Sequence, residues 1–331
     1  MNHQPKIFIS EPINSKGMEM LEGKAILIQA TDTSKETAIS LIKDADAAIL
    51  RATTLFDKDV IDQGVKLKII ARTGIGVDNV DLKIAGEKGI IVCNTPGTND
   101  ETVAEHVLAI VLAFAKQIIR LDMAVRKQQW QERFSTHQID IKGKRIGLIG
   151  YGNIGKATAH KCKALGMEVW VFDPFIKNEN EGITQVTDVN KIFKECDFVS
   201  LHCPSLPATR NLVNEHTLSL MKASAYLINT SRGELVDEQA LVEHLKNGKI
   251  AGAALDVFKQ EPLNASNPFL ELSNVLLSPH VAGSTRESNE RIATAAVQAV
   301  LDTLNGKTPQ HICNSNYLKS ENLRTALNYD R

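Results

Sequence analysis

Short runs of aliphatic and β-branched residues alternate with helical stretches along most of the chain, and this alternation restricts the possible folds most. The early apolar runs are Lys6–Ser10, Ala47–Leu50, Lys68–Arg72 and Ile90–Cys93. Helical patterns lie between them, around Lys35–Lys43, Asp57–Gln63 and Asp81–Lys88. Because strand, helix and strand in this order form a parallel βαβ unit, the pattern predicts an α/β protein.

The second half of the sequence continues the alternation and predicts a complete doubly wound sheet that ends by about residue 282. Its strands are predicted at Arg145–Ile149, Glu168–Phe172, Gly182–Val186, Phe198–His202, Ala225–Thr230, Ala251–Val257 and Val275–Pro279. Helices are predicted at Ile154–Leu165 and at Glu238–Asn247, the latter ended by Gly248.

The length of 331 residues predicts two domains. Beyond residue 282 we expect one amphipathic helix (about Glu287–Leu304), a short strand near His311–Cys313 and a polar tail. This is too little chain for an independent core, so we expect it to pack on the N-terminal domain. The predicted domains are therefore 1–98 with 283–331, which is discontinuous, and 99–282.

Charge and cysteine usage exclude several classes of protein. The chain has 38 Lys and Arg against 39 Asp and Glu, which disfavours nucleic-acid and membrane surfaces. Its five cysteines are scattered without a CxxC pair, so we expect no disulfide framework, no metal site and a cytoplasmic location. No signal peptide is evident.

The longest apolar run, Val107–Ala115, is nine residues long, which is too short for a membrane span. It predicts a buried helix, Glu101–Lys116.

A glycine-rich turn follows the predicted strand Arg145–Ile149 and opens the next helix. It consists of Gly150, Tyr151, Gly152, Asn153, Ile154 and Gly155. The first glycine permits a tight turn, the second lets backbone amides approach a pyrophosphate, and the third allows close packing of helix on strand. The next strand ends in Asp173 and Pro174, and an acidic residue there accepts hydrogen bonds from ribose hydroxyls and repels a 2′-phosphate. We therefore expect NAD as the cofactor.

Three polar sites lie just beyond predicted strand ends, where ligands bind in open α/β sheets. They contain Arg232, Glu261 and His280. Each has an ordinary alternative, as a surface ion pair, a solvated loop acid or a structural histidine. Together they suit hydride transfer, because a histidine can exchange the proton, a carboxylate can orient the imidazole, and a guanidinium can bind a carboxylate. This set with NAD predicts a 2-hydroxyacid dehydrogenase.

The sequence resembles the D-isomer-specific 2-hydroxyacid dehydrogenase family over essentially its whole length. The matching stretches are Gly74–Asp81, Asn94–Gly97, Val103–Glu105, the glycine turn, Leu201–Pro204, Asn229–Gly233, Ala253–Phe258 and Ser278–His280. The resemblance implies two Rossmann-like doubly wound parallel-sheet domains, with the active site in the cleft between them. It also implies that 1–98 with 283–331 binds substrate, that 99–282 binds NAD, and that the protein is a homodimer with helices near residues 100–120 at its interface.

The resemblance also implies the roles of particular residues. Arg232 and the Glu261–His280 pair would be catalytic, and the substrate carboxylate would meet Arg232 and the loop of Gly74, Ile75 and Gly76. The other cofactor contacts implied, beyond the glycine turn, Asp173 and Pro174, are His202, Cys203, Pro204, Thr209, Thr230, Ser231, Asp256 and Gly283.

Within the family, the stretches Arg51–Thr54 and Ala71–Asn79 are most similar to 3-phosphoglycerate dehydrogenases, enzymes of serine biosynthesis. A phosphorylated substrate needs a basic side chain, and Arg51 and Arg72 are the candidates, with Thr53 beside them and Arg133 as a further possibility. Longer members carry a C-terminal regulatory domain beyond the point where this chain ends, so we expect no feedback through one. Hydroxypyruvate and glyoxylate reductases share this shorter architecture and stay an alternative. A corepressor that senses NAD(H) is an alternative of another class, which the neutral charge disfavours.

Overall fold

The computed structural model describes residues 4–135, 137–176 and 182–325, and the chain divides into two compact units. One unit comprises the residues up to Asn99 together with those from Ser284 onward, and the other is Asp100–Gly283. The sequence predicted the two boundaries between residues 98 and 99 and between residues 282 and 283.

The first unit contains a parallel sheet of five strands in the order β2-β1-β3-β4-β5. The strands are β1 (Lys6–Ile9), β2 (Ile26–Gln29), β3 (Ala47–Leu50), β4 (Ile69–Arg72) and β5 (Ile91–Cys93). The helices between them are α1 (Ser15–Leu21), α2 (Lys35–Ile42), α3 (Lys58–Gln63) and α4 (Leu82–Glu87). Two separate apolar clusters use alternate residues of the same strands, so both faces of the sheet are covered.

The second unit contains a parallel sheet of seven strands in the order β12-β11-β10-β9-β6-β7-β8. The strands are β6 (Arg145–Ile149), β7 (Glu168–Phe172), β8 (Thr184–Gln185), β9 (Phe198–Leu201), β10 (Tyr226–Asn229), β11 (Gly252–Leu255) and β12 (Val275–Leu277). The helices are α5 (Asp100–Lys116), α6 (Ile118–Arg126), α7 (Asn153–Ala164), α8 (Val189–Glu195), α9 (Glu215–Leu220) and α10 (Glu238–Lys246). A 3₁₀ turn, Trp130–Phe134, follows α6. The fold class predicted from the sequence, α/β with doubly wound parallel sheets, is confirmed.

The chain then returns to the first unit through α11 (Arg286–Leu304), which packs on α1 and on strands β3 and β4. The following segment covers the free edge of β5. Cys313 N–H donates to the Val92 carbonyl (2.7 Å), and the buried Asn314 side chain accepts from Val92 N–H and donates to the Ile90 carbonyl, both at 2.9 Å. These bonds satisfy backbone groups that an exposed edge strand would leave unpaired.

Two predicted strands differ from the structure. The expected strand near His311–Cys313 is only an isolated antiparallel bridge between Cys93 and Ile312, because the Asn314 side chain replaces the next pair of backbone hydrogen bonds. The strand expected at Gly182–Val186 is shortened to β8. The last residues of the expected polar tail, from 326 on, lie outside the described residues.

Candidate active site

The glycine turn lies at the point in the second sheet where the order of the strands reverses, between β6 and β9. Gly150 has a φ of 100°, and a Cβ there would lie 2.7 Å from the His202 carbonyl. A Cβ on Gly155 would lie 2.5 Å from the Gly150 oxygen, whereas one on Gly152 would meet nothing within 4 Å. Gly150 and Gly155 therefore permit close packing. Gly152 faces open space at the N-terminus of α7, where backbone amides favour phosphate binding.

Asp173, at the end of β7, is tied to this turn. Its Oδ2 accepts from Tyr151 N–H and its Oδ1 from Phe175 N–H, both at 2.8 Å. Each carboxylate oxygen has further acceptor capacity, so the side chain can also bind hydroxyl groups. The hydrogen bond to Tyr151 fixes the acidic group beside the turn that would hold the phosphates.

His202 follows β9 and is held neutral. Its Nε2 lies 3.0 Å from the Ser200 hydroxyl, and burial lowers the pKa of its imidazole to about 4. Its Nδ1 and the Thr230 hydroxyl are buried without a hydrogen-bond partner in the described part of the chain. Buried polar atoms normally have partners, so these two atoms, at the ends of neighbouring strands, fit a bound ligand.

The other predicted cofactor contacts lie in the loops at the same ends of the strands. The Thr209 hydroxyl donates to the Pro204 carbonyl (2.6 Å), and the Ser231 hydroxyl donates to the Cys203 carbonyl (2.6 Å). The first bond closes the loop after β9, and the second joins that loop to the loop after β10. Asn153 and Ile154 open α7, Pro174 follows Asp173, and Gly283 is the last residue of the second unit.

Arg232 lies in the turn after β10, where its Nη1 donates to the Ser231 carbonyl (2.7 Å). The next residue, Gly233, touches the backbone of Phe258 and Lys259 so closely that a Cβ would collide with it. The missing side chain therefore lets the arginine turn lie directly against the loop that leads to Glu261.

Glu261 and His280 form a hydrogen-bonded pair, with Glu261 Oε2 2.7 Å from His280 Nδ1. Glu261 Oε1 also accepts from Phe258 N–H (2.9 Å). Burial alone would raise the pKa of Glu261, but the bonds from His280 and Phe258, with the charges of His280 and Arg232, lower it. The ionised carboxylate can only accept, so His280 Nδ1 carries the hydrogen and Nε2 is the nitrogen that can exchange a proton. No group in the described residues bonds to that Nε2.

Asp256, predicted as a cofactor contact, anchors the loop that carries His280. Asp256 is 1% exposed, and its carboxylate accepts from the Ser278 hydroxyl (2.6 Å), Val281 N–H (2.9 Å) and Ala282 N–H (2.8 Å). Its carbonyl accepts from His280 N–H at 2.8 Å. His280 has a φ of 54°, which is unfavourable for a non-glycine residue and persists only where the surroundings impose it.

The first unit presents the Gly74–Gly76 loop after β4. Gly74 N–H donates to the Thr95 hydroxyl (2.9 Å), and Asn94 Nδ2 donates to the Ile75 carbonyl (2.7 Å). The Ile75 and Gly76 amides donate to no acceptor in the part of the chain that is described. Adjacent unpaired N–H groups in a turn form an anion-binding concavity.

Arg51 lies where the strand order of the first sheet reverses, between β1 and β3. Its N–H donates to the Ser10 hydroxyl (3.1 Å), and its exposed guanidinium donates to the Pro12 carbonyl (3.2 Å). Thr53, two residues on, is exposed, and Arg72 is half-buried against Gly74 and donates to the Thr73 carbonyl. These side chains lie at the carboxyl ends of the strands, where ligands bind in such sheets.

Comparison with known proteins identifies the family. A profile of the "D-isomer specific 2-hydroxyacid dehydrogenase, NAD binding domain" matches residues 108–282. The chain is 38% identical over 322 residues to D-3-phosphoglycerate dehydrogenase of Methanocaldococcus jannaschii, covering 96% of this chain and 61% of that enzyme. It is 35% identical to glyoxylate reductase of Korarchaeum cryptofilum, covering 96% of this chain and 98% of that enzyme. The chain belongs to the D-isomer-specific 2-hydroxyacid dehydrogenase family.

A similar solved structure gives the same result for the fold. The NADPH-dependent glyoxylate/hydroxypyruvate reductase of Sinorhizobium meliloti, in complex with NADP and malonate, superposes with a TM-score of 0.85 at 26% identity, covering 96% of this chain and 99% of that one. The match to the NAD-binding profile confirms the predicted nicotinamide cofactor. The open space at Gly152 and the unpartnered atoms of His202 and Thr230 fit that cofactor.

Sequence reasoning missed the side chains that hold the dehydrogenase loops in place. Ser200, which binds His202, is a polar residue inside an apolar strand, and that interruption could have indicated it. Asn94 and Thr95 lie in a stretch that carries the family resemblance, but the sequence did not show that they contact the Gly74–Gly76 loop. Within the described ranges, no group of three or more metal-ligating side chains lies together, and no helix is long and apolar enough to span a membrane.

Proposed function

We propose that the protein catalyses hydride transfer between a nicotinamide cofactor and a D-2-hydroxy acid or 2-keto acid. The observation that carries this proposal is the 2.7 Å pair of Glu261 and His280 beside the charge of Arg232. The Nε2 of His280 bonds to no group among the described residues. The chain spans 61% of the Methanocaldococcus enzyme, so its activity is inferred from its own residues.

When bound, the nicotinamide supplies the hydride for keto-acid reduction or accepts it in hydroxy-acid oxidation. His280 Nε2 gives a proton to the carbonyl oxygen in reduction and takes it from the hydroxyl in oxidation. Glu261 orients the imidazole and stabilises its protonated form. Arg232 binds the substrate carboxylate in bidentate fashion and polarises the carbonyl. The amides of Ile75 and Gly76 supply further donors to that carboxylate.

NAD is the proposed form of the cofactor. Asp173 supports it, because the bond from Tyr151 holds its carboxylate beside the glycine turn, where it would accept from ribose hydroxyls and repel a 2′-phosphate. The Sinorhizobium neighbour is NADPH-dependent, so this preference is a property of the individual chain and requires its own measurement.

D-3-phosphoglycerate and 3-phosphohydroxypyruvate are the proposed substrate pair, placing the protein in serine biosynthesis. The basic side chains Arg51 and Arg72 support a second anionic group on the substrate, since both lie at the carboxyl ends of β3 and β4. Thr53 offers a hydroxyl beside Arg51.

Glyoxylate or hydroxypyruvate reduction is the second candidate. The Korarchaeum glyoxylate reductase is covered over 98% of its own length, which favours this activity. Neither small substrate carries a phosphate, so Arg51 would then be dispensable.

A turnover screen separates these substrates. NADH fluorescence should decay with 3-phosphohydroxypyruvate at a higher kcat/KM than with hydroxypyruvate, glyoxylate or pyruvate. A preference for hydroxypyruvate or glyoxylate would reject the phosphorylated substrate and keep the family activity. No turnover of any keto acid with NADH or NADPH would reject the proposed enzyme.

A homodimer is also proposed. The residues after α5 expose large apolar side chains that a second copy would cover, namely Ile118, Ile119, Met123, Val125, Trp130 and Phe134. The apolar side chains of α5 itself mostly pack in the core of the second unit, so the interface would begin near Ile118 and extend beyond residue 120. Sedimentation of the wild type and of Phe134→Asp tests this, and a monomeric wild type would reject it.

A further inference from the structure

We propose that two asparagines, Asn94 and Asn79, are positioning residues that divide substrate recognition. Asn94 would set the loop that binds the carboxylate common to all 2-keto acids, and Asn79 would set the Arg51 turn that binds the distal group. The inference rests on the proposed function and names the residues that determine its geometry in the first unit.

Asn94 fixes the Gly74–Gly76 loop from the neighbouring strand. Its Nδ2 holds the Ile75 carbonyl at 2.7 Å, while the adjacent Thr95 accepts from Gly74 N–H at 2.9 Å and donates its own N–H to the Gly74 carbonyl at 3.0 Å. Gly74 has a φ of 128°, which a side chain would disfavour. The carbonyls of Gly74 and Ile75 are thereby bonded to other groups, and a carbonyl that turned towards the bound anion would repel it.

Asn79 closes the turn after β3. Its Nδ2 donates to the Arg51 carbonyl (2.9 Å) and to the Thr54 carbonyl (2.8 Å), and its own carbonyl accepts from Phe56 N–H (2.7 Å). The Arg51 backbone is therefore fixed on both sides, by Asn79 and by the Ser10 hydroxyl. Its side chain is exposed, so the direction of the guanidinium depends on where this backbone is held.

The two asparagines act on separate loops, and this separation gives a test. Loss of a purely structural hydrogen bond would lower Tm and leave the KM of every substrate unchanged. Loss of a positioning bond would raise KM for the substrates that the loop recognises, with kcat at saturation and cofactor affinity retained.

The experiment compares Asn94→Ala, Asn79→Ala and Arg51→Ala with a matched control, Asn274→Ala. Asn274 donates to the Leu245 carbonyl (3.2 Å) at the start of β12, which is the same type of bond in the second unit, away from the carboxyl ends of the strands. KM and kcat are measured for hydroxypyruvate and 3-phosphohydroxypyruvate at saturating cofactor, with NADH affinity and Tm for each variant.

Asn94→Ala should raise KM for both substrates by about tenfold, the effect of one hydrogen bond to a recognition loop. Asn79→Ala should reproduce the selective increase in KM for 3-phosphohydroxypyruvate that Arg51→Ala causes. Asn274→Ala should change neither KM. Asn94→Ser, whose hydroxyl is too short to reach Ile75, is a second variant with the same expectation should Asn94→Ala be insoluble.

The outcomes separate this inference from the proposed function. If Arg51→Ala is selective and Asn79→Ala is not, the role of Asn79 is wrong while phosphate recognition stands. If Arg51→Ala has no selective effect, the phosphate role and the Asn79 role both fail. If Asn94→Ala lowers kcat and Tm without a change in KM, Asn94 is only structural. A wild type that turns over no keto acid rejects the proposed function itself.

Discussion

Replacing Gly152 by alanine tests whether the glycine turn holds the cofactor without disturbing the fold. Gly152 has a φ of −73°, which alanine adopts readily, and an added Cβ would meet no atom within 4 Å. Because Gly152 is the N-cap residue of α7, its substitution by alanine should lower the free energy of unfolding by at most about 1 kcal/mol. The new methyl group would occupy the space from which a pyrophosphate approaches the amides of α7.

The expected loss of binding follows from one charge-assisted hydrogen bond of about 1.5–3 kcal/mol, so Kd for NADH should rise roughly 10- to 100-fold. Two other glycines of the same unit serve as comparisons. Gly155→Ala places a Cβ 2.5 Å from the Gly150 oxygen. This overpacking should lower the free energy of unfolding by about 1–3 kcal/mol and should also weaken cofactor binding. Gly248, after α10, has a φ of 62°, and a Cβ there would meet no atom within 4 Å. Gly248→Ala should therefore lower the free energy of unfolding by about 1 kcal/mol and leave NADH binding unchanged.

The assay is an NADH fluorescence titration combined with urea unfolding followed by tryptophan emission. Both tryptophans, Trp130 and Trp170, belong to the second unit, so their emission reports on that unit alone. If Gly152→Ala binds NADH as the wild type does, the open space at Gly152 is not the phosphate site. If Gly155→Ala retains wild-type stability and affinity, the packing argument for that glycine is wrong.

Four further substitutions test the site. Asp173→Ala should lower kcat/KM with NADH and improve the relative use of NADPH, because a ribose acceptor and a repulsive charge are both lost; an unchanged ratio of the two cofactors would assign ribose recognition to another residue. His280→Ala should reduce turnover about 10²–10⁴-fold, and near-normal rates would remove it from the mechanism. The lowered pKa of Glu261 keeps its carboxylate charged at neutral pH, so Glu261→Gln should move the alkaline limb of kcat/KM for keto-acid reduction to lower pH, since the imidazolium loses its stabilising partner; an unmoved limb in a pH–rate series would contradict the pairing. Gly233→Ala should abolish activity and destabilise the second unit in urea, because its Cβ would collide with the Phe258 backbone, and an active, stable variant would contradict the close approach.

The sequence predicted the interior strands well because burial on both faces leaves a clear pattern. Strands such as β4 and β6 are apolar apart from one arginine at an end, and none of their residues is exposed. The edge strand β2 was missed because Ile26 and Leu27 are 46% and 38% exposed, and an exposed apolar pair is ambiguous. The short helices α8 and α9 were also missed, although Asp188 and Asn214 are N-cap residues that could have indicated them.

The candidate site was predicted as a set of residues rather than as a geometry. Strand ends placed Arg232, Glu261 and His280 in one region, but the direction of each side chain depends on contacts between distant residues. The Asp256 carboxylate could have faced the cofactor or the loop of His280, and only the structure gives its bonds to Val281 and Ala282. Likewise, the contact of Asn94 with Ile75 exists because β4 and β5 are neighbours in the sheet.

The covered edge of β5 has a consequence for the synthesis of the protein. The second unit is continuous from Asp100 to Gly283, so all of its strands have emerged from the ribosome before the chain returns to the first unit. The first unit needs α11 on β3 and β4, and it needs Cys313 and Asn314 on β5, before its sheet is closed. A chain interrupted between the two therefore carries a completed nucleotide unit joined to a sheet with an open face and an open edge. Open strand edges pair with other chains, so such fragments should aggregate through their first unit while the second stays folded.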